Sequence, residues 1–229
     1  METLLISFAN QKGGVGKSTL TSVYANYLSN KGEKSVVVCD CDDLQQTLVN
    51  KRQRDKGNGM DASDMYDILA IKSSDFVKQY TSLFKGNVDV CFLDLPGNLM
   101  QAGVVSSYFH ADVLLIPTSL SSDDIDSTMK FYSKYTEQVL PLRKGLPPVK
   151  IIGILNKVDK SSLEYKEFIK QKAHFPFQFM ENVLPAAPVT FQRNSSTVSD
   201  YSMNKKTKGE EIDIVKTFCE ELDQLIFKS

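Results

Sequence analysis

The run Leu4-Leu5-Ile6-Ser7-Phe8-Ala9-Asn10-Gln11-Lys12-Gly13-Gly14-Val15-Gly16-Lys17-Ser18-Thr19 sets the reading of the whole chain. Its first six residues are almost continuously apolar, the pattern of a strand buried on both faces. Glycines stand at 13, 14 and 16, and then Leu20, Val23, Tyr24, Tyr27 and Leu28 recur at helical spacing until Lys31-Gly32 closes the helix. A strand, a glycine loop and a helix in this order make a cradle for phosphate. Glycine lets backbone N–H groups turn onto an anion, and the helix start adds the positive end of its dipole. In such a loop Lys17 reaches the β- and γ-phosphates, and the Ser18 hydroxyl offers a ligand to Mg²⁺.

The loop departs from the common G-x-x-x-x-G-K-[ST] form in two ways. Gln11 stands where the first glycine is expected, and Lys12 adds a second lysine five residues before Lys17. One lysine suffices for a triphosphate. A second on the same loop points to charge held elsewhere, such as a phosphate carried by a partner subunit; the plainer alternative is a solvated surface lysine.

Working outward, the 229 residues allow one large α/β domain, taken here as residues 1–229. With 41% apolar and 24% charged residues and a formal net charge of −1, composition gives no global attraction to nucleic acid or anionic lipid, so any such contact needs a local patch. No signal-peptide pattern precedes the first strand and no apolar run approaches membrane-span length, which places the expected protein in the cytoplasm. Cys39, Cys41, Cys91 and Cys219 form no C-x-x-C and read as buried reduced thiols. His110 and His174 read as structural or solvated.

Nearly continuous apolar runs recur at Leu4–Ala9, Val36–Cys39, Val88–Leu93, Val113–Ile116 and Val149–Leu155, with a weaker sixth at Phe177–Leu184. Later helices are expected over Met65–Ala70, Asp75–Phe84, Val104–Phe109, Asp123–Leu140, Leu163–Gln171 and about Glu210–Phe227, with capping boxes at Ser121-x-x-Asp124 and Ser161-x-x-Glu164. Strand–helix alternation with right-handed crossovers predicts a doubly wound, mostly parallel sheet flanked by helices, with its ligand beyond the carboxyl ends of the strands.

The residues after those strand ends are acidic: Asp40, Asp42 and Asp43 follow the second strand, and Asp94 the third. A carboxylate there can hold Mg²⁺ through water or orient an attacking water. Asp94, ending its strand, fits the first role and Asp42 the second; the competing reading is that they cap the helices that follow. Asn156-Lys157-Val158-Asp159 follows the fifth strand, where the Asn156 amide could meet a base edge. Thr118 to Asp124 could form a switch loop that senses the γ-phosphate.

Taken together, these residues resemble the ParA/MinD family of P-loop ATPases with a deviant Walker-A loop, over nearly the whole chain, and most closely its ParA-type partitioning members, including those of conjugative elements. The resemblance implies a Mg²⁺-dependent ATPase of low turnover that dimerises on ATP and serves DNA partition. Lys12 would be the signature lysine that reaches across to the partner's nucleotide, and Lys17 the phosphate-loop lysine. Gly13, Gly14, Val15, Gly16, Lys17, Ser18 and Thr19 would hold ATP, with Asn156 and the segment around Pro185 at the adenine. Ser18, Asp94 and, at the water shell, Asp40 would serve the metal, and Asp42 hydrolysis. A ParB-like activator and non-specific DNA are the implied partners, with possible nucleoid association. The family's D-x-D-P-Q reads here Asp40-Cys41-Asp42-Asp43-Leu44-Gln45, which leaves the role of Asp43 and the start of the next helix open. The acidic terminal helix does not fit the membrane-binding branch, and the cysteines do not fit a cluster-bearing one. Two further readings stand beside this one. Asp94-x-x-Gly97 with Asn156-Lys157-Val158-Asp159 superficially matches a GTPase. Basic groups at Arg143/Lys144, Lys166/Lys170/Lys172 and Lys205/Lys206/Lys208 fit an ATP-gated DNA-binding module with minimal turnover.

Overall fold

The structure is a computed structural model that describes residues 2–61, 65–193, 195–207 and 210–228. Strands β1 (Leu4–Phe8), β2 (Val36–Asp40), β3 (Asp67–Ala70), β4 (Val90–Asp94), β5 (Val113–Thr118), β6 (Lys150–Leu155) and β7 (Gln178–Phe179) form one sheet in the order β3-β2-β4-β1-β5-β6-β7. Every pairing in it is parallel. The predicted doubly wound sheet is therefore present, and β1 lies at its centre, so its carboxyl end is overlooked by loops from both sides.

Helices α1 (Lys17–Lys31), α2 (Thr47–Gly57), α3 (Phe76–Gln79), α4 (Val104–Phe109), α5 (Ser122–Gln138), α6 (Leu163–Gln171) and α7 (Ile214–Phe227) cover the faces. Each face has its own apolar layer. One packs Leu5, Cys39, Cys91 and Leu93 against Phe76, Tyr108, Phe131 and Tyr135. The other packs Ile6, Phe8, Val38 and Phe92 against Leu20, Tyr24, Leu28, Phe218 and Leu222. Each fully buried Val, Leu, Ile or Phe of these layers contributes about 1.5–3 kcal/mol. Helix α1 keeps its predicted stripe, and Gly32 ends it with φ 68°, a left-handed value that favours glycine. All four cysteines are buried and unpaired, as their surroundings predict.

Several expected elements differ. Met65–Ala70 is not helical: Asp67–Ala70 is an edge strand whose hydrogen bonds go to β2. The helix expected over Asp75–Phe84 is α3 followed by a wider turn, Tyr80–Phe84. Helix α2 had no apolar stripe to announce it, since its buried residues are Leu48, Arg52 and Asp55. The terminal helix starts four residues later than expected. Glu210–Asp213 is strand β9, paired antiparallel with β8 (Asn204–Thr207) in a separate hairpin. Asp213 then caps α7 by accepting from the N–H of Val215 at 2.9 Å. The sixth run, Phe177–Leu184, gives only the two residues of β7 and a single bridge from Leu184 to Asn156. Ser121 caps α5 as read, but the cap of α6 is Ser162 rather than Ser161.

Candidate nucleotide site

At the carboxyl end of β1 the chain turns on Asn10, which is fully buried. Its amide donates to the Pro117 carbonyl at 2.9 Å and to Thr128 Oγ1 at 2.8 Å, while its Oδ1 accepts the Lys12 N–H at 3.0 Å. The glycine loop is thus pinned to β5 and α5 where it leaves the sheet. Gly14 and Gly16 have φ of 78° and 102°. Glycine is favoured at 16 by that conformation, and a Cβ there would also push the Asn156 amide aside. The loop floors a cleft of about 1020 Å³ lined by Lys12, Gly13, Gly14, Gly16, Lys17, Ser18 and Thr19, with Asp42 on one side and Asn156 and Pro185 further along. Val15 is buried beneath the loop.

Asp40 and Asp94 are register partners at the ends of β2 and β4, and both are 1% exposed. Their bonding differs. Asp40 Oδ2 accepts the N–H groups of Leu48 and Val49 at 2.8 and 3.1 Å, and Oδ1 accepts that of Asp42 at 3.4 Å. It therefore holds the start of α2, and these bonds pull its pKa back down against the upward push of burial. Both carboxylate oxygens of Asp94 are buried without a hydrogen-bond partner. Burial pushes Asp94 up to about 7, with the Asp40 and Asp42 charges adding to the rise and the nearby Ser18 hydroxyl and Lys17 ammonium opposing it. The Lys17 pKa is lowered by burial, against the pull of Asp94 and Asp42, and its Nζ donates to the Lys12 carbonyl at 3.3 Å.

A buried, unsatisfied carboxylate beside a lysine and a serine hydroxyl fits a hard cation that keeps most of its own water. Among the described residues no three His, Cys, Asp or Glu side chains gather as a metal cage. Asp42 lines the cleft, and its Oδ1 accepts the N–H groups of Leu44 and Gln45 at 3.2 and 3.1 Å. The turn-holding role and the cleft-facing role thus coexist in this one side chain.

Asn156 does something the sequence did not announce. Its amide donates to the Val15 carbonyl at 2.8 Å and its Oδ1 accepts the Lys157 N–H at 3.0 Å. Lys157, at φ 62°, donates through Nζ to the Gly14 carbonyl at 2.6 Å. Both residues brace the glycine loop from behind. Asp159 lies outside the cleft lining and accepts from the N–H and hydroxyl of Ser161 at 2.8 and 2.7 Å. The far end of the cleft is apolar, built by Leu184, Pro185, Ala186, Ala187, Pro188 and Phe191.

Lys12 reaches Asp124 at 3.8 Å, and Asp124 also accepts from Ser119 at 2.6 Å, so the loop after β5 is tied to the glycine loop. Gln101 was also missed: its amide donates to Asp43 at 3.2 Å and to Ser73 at 3.3 Å, joining the loops after β2, β3 and β4. Nothing in its spacing marks it, because its partners are distant in sequence. Of the basic groups, Arg143 is buried and donates to the carbonyls of Phe109, Ala111 and Pro147. It therefore has no place in a nucleic-acid surface. Lys172 is paired with Glu181 at 2.6 Å. Lys144, Lys166, Lys170, Lys205 and Lys206 are exposed, and Lys208 lies outside the described residues. Among the described residues no helix is long and apolar enough to cross a membrane. The terminal helix packs on the core, with Asp223 bonded to Tyr24 and Lys31.

Comparison with known proteins gives the family and the fold. The profile of the CobQ/CobB/MinD/ParA nucleotide binding domain matches residues 6–193. The septum site-determining protein MinD of Buchnera aphidicola is 21% identical over 194 residues, 73% of this chain and 72% of its own. Among solved structures, a plasmid partition protein of Borrelia burgdorferi bound to AMPPNP superposes with a TM-score of 0.63 at 15% identity, over 100% of this chain and 99% of its own. Cobyrinic acid a,c-diamide synthase of Mycobacterium smegmatis, with an ATP analogue and magnesium, gives 0.65 at 16% identity over 99% and 97%. At these identities the structures share the fold.

Proposed function

The chain belongs to the CobQ/CobB/MinD/ParA nucleotide-binding domain family, and from that premise we propose that it hydrolyses ATP with Mg²⁺, pairs with a second copy while nucleotide is bound, and acts as a switch in DNA partition. The plasmid partition protein and the magnesium-bound synthase among its structural neighbours support this reading. The observation that carries it is Asp94, a buried carboxylate without a partner beside Ser18 and Lys17.

In this reading the N–H groups of the glycine loop and of the start of α1 bind the phosphates. Lys17 offsets their charge, more strongly because it is largely shielded from water. Ser18 and Asp94 would hold Mg²⁺, which when bound neutralises charge on the β- and γ-phosphates. Asp42 accepts a hydrogen bond from a water and aims it at the γ-phosphorus. That oxygen bonds to phosphorus as the bond to the bridging oxygen breaks, leaving ADP and inorganic phosphate. Lys12 exchanges Asp124 for phosphate held by the second copy. Asn156 contributes by bracing the loop, and Pro185 by walling the adenine end.

Adenine is favoured over guanine because Asp159, the carboxylate that a GTPase reading needs, bonds to Ser161 outside the cleft. A ParB-like protein is the expected activator. The exposed Lys144, Lys166, Lys170, Lys205 and Lys206 would supply the cations for non-specific DNA, which would put the protein on the nucleoid.

The test is competition of ATP and GTP for a fluorescent nucleotide, together with phosphate release. ATP should compete better. Lys17→Ala should abolish binding, while Asp42→Ala should bind and release phosphate about a hundredfold more slowly. Unchanged release by Asp42→Ala, or preference for GTP, refutes the assignment. DNA retention that ignores ATP and salt refutes the partition role.

A further inference from the structure

Two apolar side chains stand in the open at the mouth of the cleft. Leu44 is 92% exposed and Met100 is 81% exposed, and both line it. They flank the clasp in which Gln101 donates to Asp43, so the loops after β2 and β4 present one surface: an acid, Asp43, beside two apolar groups. The opposite wall carries cations. Lys134 of α5 is exposed and donates to Gln11 Oε1 at 3.3 Å, and Lys12 lies beside it on the glycine loop. Of the acids of α5, Asp124 is engaged by Lys12 and Ser119 and Glu137 by Ser133, while Asp123 and Asp126 are exposed and do not line the cleft. The sheet order makes these true opposites, because β2 and β4 lie on one side of β1 and β5 on the other.

A cleft with Asp43 at the mouth of one wall and Lys134 lining the other is complementary to itself at those two positions. A two-fold axis along the cleft lays each wall of one copy on the opposite wall of the other. Exposed apolar groups within a charged surround match the anatomy of an interface core and rim. Resting on the reading that nucleotide brings two copies together, we infer that Asp43 and Leu44 of one copy dock against Lys134 of a second copy of this chain, with Leu44 and Met100 in the dry part of the contact. Like walls would meet under any other registration, and like charges set opposite one another are repelled.

A charge swap tests this. Full-length wild type, Asp43→Lys, Lys134→Glu and the double variant are sedimented over a concentration series with Mg²⁺ and a non-hydrolysable ATP analogue. Nucleotide affinity of each is measured in parallel at concentrations where the protein is monomeric. Each single reversal should raise the dimer dissociation constant about tenfold, since a two-fold contact counts each pair twice, and the double should return to within about threefold of wild type. A wild type that dimerises while the double is as weak as either single, or while neither single differs from wild type, overturns this contact. A wild type that stays monomeric at saturating nucleotide overturns the nucleotide-paired reading, and the contact with it.

Discussion

Replacing Asp94 by Asn should make the nucleotide-free protein more stable, increasingly so as pH rises. The reason lies in the pKa of Asp94, pushed from the ordinary 3.8 to about 7, chiefly by burial. Between those two pH values the folded state holds a proton that the unfolded chain releases, so wild-type stability falls as pH climbs through the window and levels off above it. The full span is about three units, or about 4 kcal/mol at ~1.36 kcal/mol per unit. Because part is already lost at acid pH, about 2.5 kcal/mol should separate pH 5 from pH 8. The Asn variant lacks this titration and keeps the others, so the difference between the two proteins isolates Asp94. Urea unfolding from pH 5 to 8, in chelator and without nucleotide, should give curves that diverge by that amount, with the variant above. In a protein of this size it corresponds to roughly 5–10 °C in Tm at the alkaline end. Parallel curves would show that the carboxylate is not uncompensated, and would remove the main argument for a cation beside it.

Two further outcomes follow from contacts near the loop. Asn156→Ala removes the brace on the Val15 carbonyl and should weaken ATP about tenfold; calorimetry with inorganic tripolyphosphate should register the same factor, whereas a loss confined to ATP would restore a base-reading role. Gly103→Ala should destabilise by more than about 2 kcal/mol in a denaturant titration, because Gly103 has φ 86° and a Cβ there would collide with the Ser73 backbone; a change under about 0.5 kcal/mol would mean that the loop after β4 shifts freely.

The sheet and the glycine loop were legible because their signals are local: β-branched runs such as Val36-Val37-Val38, and a lysine–serine pair that opens a helix directly after the glycines. What escaped depends on distant partners. Helix α2 buries Arg52 and Asp55, which an apolar periodicity scores as surface. Their partner is Thr197, whose hydroxyl accepts from Arg52 at 2.7 Å and donates to Asp55 at 2.9 Å. Arg143 reads as a surface cation for the same reason, until three carbonyls are found around its guanidinium. Strand β3 is four residues at an edge, too short for its alternation to compete with a helical reading. Ser161 and Ser162 stand side by side, and only the backbone decides which of them caps α6.

Asp40 and Asp94 sit opposite each other in register, equally hidden, yet one is bonded to the amides of α2 and the other takes no backbone amide and has only the Ser18 hydroxyl and the Lys17 ammonium nearby. Sequence spacing cannot separate them, since both follow an apolar run. The difference arises because α2 returns over the end of β2 and offers its amides to Asp40, while the chain after β4 leaves through Pro96 and Gly97. Gly97 passes so close to the glycine loop that a Cβ there would come within 2.6 Å of the Gln11 carbonyl. That close approach ties the loop after β4 to the loop that would hold phosphate. A cation bound at Asp94 and Ser18 would thus act on both loops at once, and through the Gln101–Asp43 clasp on the mouth of the cleft.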